Sequence, residues 1–169
     1  MHVRPLTASD AAQYSKLRRE QLQQDPVAFA ESLSEHDAKS LQSIAMRLGS
    51  GSGDNFVIGA FSEDGELTGS AGFARNSRVK SRHKGMIWGV YVSPPWRGRG
   101  IAKAIFSELL SRARAEPGLE QIMLTVSTGQ EAARRLYTSL GFEVFARERH
   151  ALKVDDEYVD EDYMVLWLT

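Results

Sequence analysis

The sequence predicts an α+β protein of seven strands and four helices, in the order β-α-α-β-β-β-α-β-α-β-β. Three observations carry that prediction. Runs rich in Val, Ile, Phe and Tyr are separated by stretches whose apolar residues recur at steps of three and four. Ser/Thr-x-x-Asp/Glu signatures stand where helices should open. Pro and Gly pairs, among them Pro94-Pro95 and Pro117-Gly118, stand where elements should stop. Neither a repeat nor a break in composition divides the 169 residues, so a single domain over residues 1–169 is expected.

Taken in order, residues 2–6 alternate weakly and read as a short first strand at a sheet edge. Thr7 and Asp10 have the spacing of a capping box, and Tyr14, Leu17, Arg18 and Leu22 follow at helical intervals until Asp25-Pro26 ends the helix. Ser34 and Asp37 repeat the capping signature ahead of Leu41, Ile44, Ala45 and Leu48, the second helix. Residues 49–54 are Gly/Ser-rich, with no strand before them and no Lys-Ser/Thr after, so they form a flexible link and not a nucleotide loop. Residues 55–61 and 67–74 are strands around a turn that contains Asp64-Gly65. The basic stretch 75–84 reads as a solvated hairpin; no aromatics interleave it, which argues against single-stranded nucleic acid.

Residues 86–92 form the central strand, stopped by two prolines that cannot donate to a ladder. Ile101, Ala102, Ile105, Phe106, Leu109, Leu110 and Ala113 then define a long amphipathic helix. Residues 122–126 are a further strand. Thr128 and Glu131 suggest a third capping box, for a helix through Ala132, Ala133, Leu136, Tyr137 and Leu140. Gly141 stands where a left-handed C-terminal cap belongs, with Phe142 as its apolar contact. Residues 143–149 and 158–168 close the chain as a hairpin around an acidic loop.

Composition narrows the function. The chain has no cysteine, which excludes disulfides, Zn–thiolate sites and cysteine nucleophiles, and no metal is expected. A net charge of −1 gives no general attraction to nucleic acid or membrane. No apolar run approaches the roughly 20 residues of a membrane span, and no signal-peptide core opens the sequence. A cytoplasmic protein is expected.

The chemistry concentrates between the central strand and the long helix. There the first helical N–H groups lack intrahelical partners and carry the positive end of the dipole. Gly98 and Gly100 allow close approach, and Arg97, Arg99 and Lys103 add positive charge. That combination is a phosphate cradle. It has neither the Lys-Ser/Thr of a P-loop nor the Gly-x-Gly-x-x-Gly of a dinucleotide fold, which leaves a nucleotide enzyme without a motif.

The turn Arg97-Gly98-Arg99-Gly100-Ile101-Ala102 fits the pattern Arg/Gln-x-x-Gly-x-Gly/Ala, and in this it resembles the GNAT superfamily of N-acetyltransferases. In that superfamily the turn holds the pyrophosphate of acetyl-CoA. The order of elements is similar to the superfamily's from end to end, which implies a mixed, mostly antiparallel twisted sheet. The resemblance further implies that Arg97, Gly98, Arg99, Gly100, Ile101, Ala102 and Lys103 contact the coenzyme. The central strand would splay from its neighbour, so that backbone groups of Val90, Tyr91 and Val92, opposite residues 124–126, bond the pantetheine arm like an added strand.

The segment from Gln130 to Phe142 resembles the family's N-x-x-A-x-x-L-Y-x-x-x-G-F. By that likeness Tyr137 is the catalytic acid that protonates the departing thiolate, the other reading being a core aromatic one helical turn after Ala133, and Gln130 replaces the Asn that often bonds the pantetheine. Residues 25–32 resemble the family's dPxAF link beside the acceptor site; they read equally as an apolar connector that packs Val27 and Phe29. No base is evident. Thr125 occupies the position where some members carry a glutamate, and Met86, Ile87 and Trp88 cannot serve. His83 and Glu31 are within reach but on no motif, and His2, His36 and His150 have still less claim.

The implied function is transfer of an acetyl group from acetyl-CoA to a primary amine by direct attack in a ternary complex. Small-molecule amines, polyamines, aminoglycosides and peptide N-termini all remain open as acceptors. The alternative is a non-catalytic acyl-CoA-binding or regulatory module on the same fold. The acidic run Asp155, Asp156, Glu157, Asp160, Glu161 and Asp162 either attracts a cationic acceptor or is a solvated loop. Many members of the superfamily pair, so a homodimer also stays open.

Overall fold

A computed structural model describes residues 1–168. The chain runs β1 (His2–Pro5), α1 (Ala11–Gln24), α2 (Leu33–Asp37), α3 (Leu41–Gly49), β2 (Asn55–Phe61), β3 (Leu67–Arg75) and β4 (Lys84–Val92). It continues through α4 (Ile101–Arg114), β5 (Gln121–Ser127), α5 (Glu131–Ser139), β6 (Glu143–Val154) and β7 (Glu157–Trp167). The seven strands make one sheet in the order β1-β2-β3-β4-β5-β7-β6. Every pairing is antiparallel except β4 with β5, which is parallel because α4 crosses over between them. β1 lies at one edge, as its short, weakly alternating sequence indicates.

The sheet carries helices on both faces, and strand alternation assigns the residues. In β2, Ile58 and Ala60 join Ile105, Phe106 and Leu109 of α4 in one core, while Val57 and Phe61 join Tyr14 and Leu17 of α1 and Ile44 and Leu48 of α3 in the other. Phe73, Ile122, Leu124, Met164 and Phe142 complete the α4–α5 core. A Leu→Ala change at a site as closed as Leu109 typically costs about 2–5 kcal/mol. Among the described residues no helix is long and apolar enough to cross a membrane.

Three local expectations change. The second helix is two helices, giving five α-helices among the described residues. Ser32 and Glu35 form the capping box that opens α2, in place of Ser34 and Asp37, and Ser40 then accepts from the Ser43 amide at 3.1 Å to open α3. Two good caps eight residues apart favour two short helices. At the start of α5 the N-cap is Gln130 with no side-chain cap bond, so Thr128 and Glu131 form no capping box. The Thr128 amide instead donates to the Asp160 carbonyl at 2.9 Å, which ties the segment to β7.

The terminal hairpin also turns later and more tightly than expected. Only Asp155 and Asp156 lie in the turn, and Glu157, Asp160, Glu161 and Asp162 are on β7. Alternation then separates their roles. Asp162 is fully buried and paired with Arg147 at 2.7 Å and Arg134 at 3.1 Å, which joins α5 to the hairpin, whereas Glu161 faces the other way. The Thr7–Asp10 capping box is present, with Arg4 forking the Asp10 carboxylate at 2.8 Å and holding its pKa down to about 2. Gly141 caps α5 as expected: its amide reaches Thr138 O and that of Phe142 reaches Tyr137 O, both at 3.0 Å.

Candidate active site

The site begins with a fault in the sheet. β4 and β5 pair only through Lys84–Gln121, Gly85–Ile122 and Met86–Met123. Beyond that point they part, although β4 stays on β3 and β5 stays on β7 along their outer edges. The cause is local. The β3–β4 register shifts between Ser70 and Gly72, and Gly89 takes a left-handed φ of 62°. An extra residue at a bulge bends its strand and adds twist, which turns β4 away from β5. The fork opens into a cleft of about 720 Å³.

At the mouth of the fork stands the N-terminus of α4. Gly98 and Gly100 have φ of 76° and 77°, and a Cβ at either would meet nothing within 4 Å. The first helical bond runs from the Ala104 amide to Gly100 O at 3.0 Å, leaving the amides before it without helical partners. Gly98, Gly100, Ala102 and Lys103 border the cleft, and Ile101 anchors the turn in the core at 4 % exposure.

The two arginines of the turn are otherwise engaged. Arg97 donates to Val92 O at 2.9 Å and to Asp25 at 3.0 Å, so it clamps the link after α1 onto the turn. Arg99 lies over the Trp96 ring at 5.0 Å and does not border the cleft.

Val90 and Val92 pack partly against the α4 core and border the cleft. The Tyr91 ring is buried on the opposite face, its hydroxyl on Glu20 at 3.0 Å, so only its backbone is available at the fork. Gln130 lies on the far wall. Tyr137, on the last turn of α5, has its ring 5.4 Å from that of Phe106 and 6.2 Å from that of Phe142. Burial pushes its hydroxyl pKa up, so the proton stays on at neutral pH. That hydroxyl has no protein partner among the described residues, and Tyr137 borders the cleft.

The link after α1 is one single turn, Pro26–Ala28, held at both ends. Asp25 takes Arg97, and Val27 O accepts from the Ser127 hydroxyl of β5 at 2.6 Å. Val27 is exposed at 36 %, whereas Phe29 packs partly against the α1–α3 core as the connector reading expects, and with Ala28 and Ala30 it also walls the cleft.

Of the two candidate bases, His83 sits at the paired end of β4, where its carbonyl holds the Glu120 and Gln121 amides, and it does not border the cleft. Glu31 borders it, but Lys39 and Arg18 both bond its carboxylate. Burial alone would raise its pKa; those bonds win and hold it below the usual range, which makes it a weak proton acceptor.

A third carboxylate, which the sequence hides, also borders the cleft. Glu161 on β7 pairs across from Ser127 on β5 and from Glu148 on β6, and it projects into the cleft beside Thr125. Burial and the Glu148 charge raise its pKa against a smaller lowering from the Thr125 hydroxyl. A half-buried glutamate with a raised pKa is suited to accept a proton. In sequence it is one acidic residue among six.

The arrangement offers a helix N-terminus for an anion, unpaired strand edges for an extended polar chain, and a proton donor and acceptor on the walls below. Known proteins are similar to this chain in sequence and in fold. L-2,4-diaminobutyric acid acetyltransferase of Streptomyces avermitilis is 32 % identical over 84 residues, 50 % of this chain and 44 % of that protein. L-amino acid N-acetyltransferase AaaT of Escherichia coli K12 is 29 % identical over 102 residues, 60 % of this chain and 62 % of that protein. The chain thus aligns with less than two thirds of either relative. In fold, it matches the GNAT superfamily phosphinothricin acetyltransferase from Sinorhizobium meliloti, solved in complex with acetyl-CoA. The TM-score is 0.83 at 24 % identity, covering 98 % of this chain and 87 % of that one. The profile of the acetyltransferase (GNAT) family matches residues 15–142, from α1 through the fork and the α4 turn to the cap of α5. With three quarters of its length inside that profile and its cleft, Glu161 apart, lined by the matched segments, the chain belongs to the acetyltransferase (GNAT) family.

Proposed function

We propose that the protein transfers an acetyl group from acetyl-CoA to a primary amine. The observation that carries this reading is the fork between β4 and β5 directly beneath the N-terminus of α4. The residues present fit the coenzyme. Gly98 and Gly100 border the cleft with open space at their Cβ positions, Lys103 stands at the rim, and the free edge of β4 can bond an extended arm. When bound, the coenzyme supplies an acyl carbon already activated as a thioester.

The chain's own groups do the rest. Tyr137 donates a proton to the sulfur as the C–S bond breaks, and Glu161 accepts the proton lost by the amine nitrogen as the N–C bond forms. Holding the two reactants in register can lower the barrier by roughly 7–11 kcal/mol. The family name and those of the two relatives, both acetyltransferases of amino acids, support the reaction class.

The test is thiol release from acetyl-CoA across a panel of primary amines, together with melting temperature. Coenzyme A and acetyl-CoA are expected to raise the melting point, by the equivalent of about 2.7 kcal/mol at a hundredfold excess over Kd, and ATP is not. Thiol release should depend on the amine. Coenzyme binding with no amine-dependent release would make the protein a binding module instead.

A further inference from the structure

Among the described residues two buried side-chain nitrogens have no partner, Arg18 Nη1 and Gln21 Nε2, and both lie on the sheet-facing side of α1. Gln21 borders neither the main cleft nor the smaller cavity beside α2 and α3, whereas Arg18 borders both. The Arg18 side chain is only 9 % exposed. Its Nε and Nη2 both donate to Oε2 of Glu31, at 2.8 and 2.7 Å, and Lys39 takes the other oxygen. Nη1 is left over. A buried charged donor without an acceptor is rare in folded proteins, and it is costly to keep unless a ligand supplies the acceptor.

Its position is specific. Nη1 lies 3.3 Å from where a Cβ on Gly89 would stand, at the bulge where β4 leaves β5. It is therefore at the fork, where the acyl group would be delivered. The surroundings favour an anion. The adjoining cavity of about 400 Å³ is lined by Arg18, Lys39 and Arg47, with Glu31 as its one carboxylate. Arg47 is held over the Trp88 ring at 4.5 Å, and burial lowers the pKa of His36. On the β5–β7 wall of the main cleft the charge reverses, with Glu161 and, behind it on β6, Glu148. An acceptor between these walls meets a cation on one side and carboxylates on the other.

We propose that Arg18 Nη1 binds a carboxylate of the acceptor, so that the substrate is a small amine that carries its own carboxylate, of the amino-acid type. A polyamine would leave Nη1 unpaired, and a polyamine or an aminoglycoside would add positive charge beside Arg18, Lys39 and Arg47. This inference rests on the acetyl-transfer reading and names the acceptor for it.

The test pairs free L-amino acids with the corresponding carboxamides as acceptors in the thiol-release assay. In a second arm, N-acetyl amino acids and their amides are titrated calorimetrically into the coenzyme A-loaded protein. One charge-assisted hydrogen bond corresponds to a preference for the acid of about tenfold to a hundredfold, in kcat/KM and in Kd. Arg18→Lys keeps a positive charge against Glu31 but lacks the third nitrogen, and it should bring that preference close to one. Amides that match or exceed the acids in the wild-type protein would overturn the inference while acetyl transfer stands, as would an Arg18→Lys protein that keeps the preference. If no acceptor releases thiol, the transfer reading fails, and the titration still decides the anion site. Acid-selective binding that depends on Arg18 supports it, and equal binding removes it.

Discussion

Glu161→Gln is expected to lower kcat by about 10²- to 10⁴-fold, the range for loss of a positioned acid or base. Gln has nearly the same shape and can still meet Thr125, so β7 and the cleft wall should persist. What it cannot do is accept the proton that leaves the amine. Because burial and Glu148 raise the Glu161 pKa, the wild-type enzyme should gain activity as pH rises through a value above the usual glutamate range. The sign follows from the role, since the base works only when deprotonated. The variant should lack that acidic limb. At the other end of the reaction, Tyr137→Phe keeps the ring against Phe106 and Phe142 and removes only the donor, for a loss near 10²-fold in kcat with KM for acetyl-CoA within a few-fold. Steady-state kinetics across pH reads both. An unchanged profile for Glu161→Gln would assign the proton to water.

Gly100→Val should abolish coenzyme binding and leave the protein folded. At φ 77° a β-branched residue is strained by about 1–3 kcal/mol, and relaxing that strain re-aims the first amides of α4. The new side chain would also fill open space on the border of the cleft. Two charge-assisted bonds lost together correspond to at least about 10²-fold in Kd for coenzyme A. The turn is exposed and Ile101 anchors it from beneath, so the melting temperature without ligand should move little. Isothermal titration separates the cases, and a wild-type Kd would place the anion site elsewhere.

Much of this architecture is legible in the sequence because local signals and burial agree. The apolar stripe of α4 and the Gly98–Gly100 turn report elements whose sequence and surroundings say the same thing. The fork is legible only through resemblance, since no periodicity announces that two strands part after three residues. Its physical cause, a bulge at Gly89, is one glycine in an otherwise regular strand. Glu161 was hidden for a different reason. In an acidic run, only strand register tells Asp162, buried against Arg147 and Arg134, from its neighbour in the cleft. Arg18 looked like one more position on the apolar face of α1, and the free Nη1 depends on Glu31 and Lys39 arriving from a link and a helix end that the sequence leaves unplaced.

Hydrogen exchange with and without coenzyme A tests the central claim, that the fork and the α4 turn together hold the coenzyme. Protection should rise at the amides of residues 90–92 and 98–103, while the exposed β6 strand at residues 143–149 should exchange as before. Protection confined to other segments, or none at saturating coenzyme A, would contradict the account.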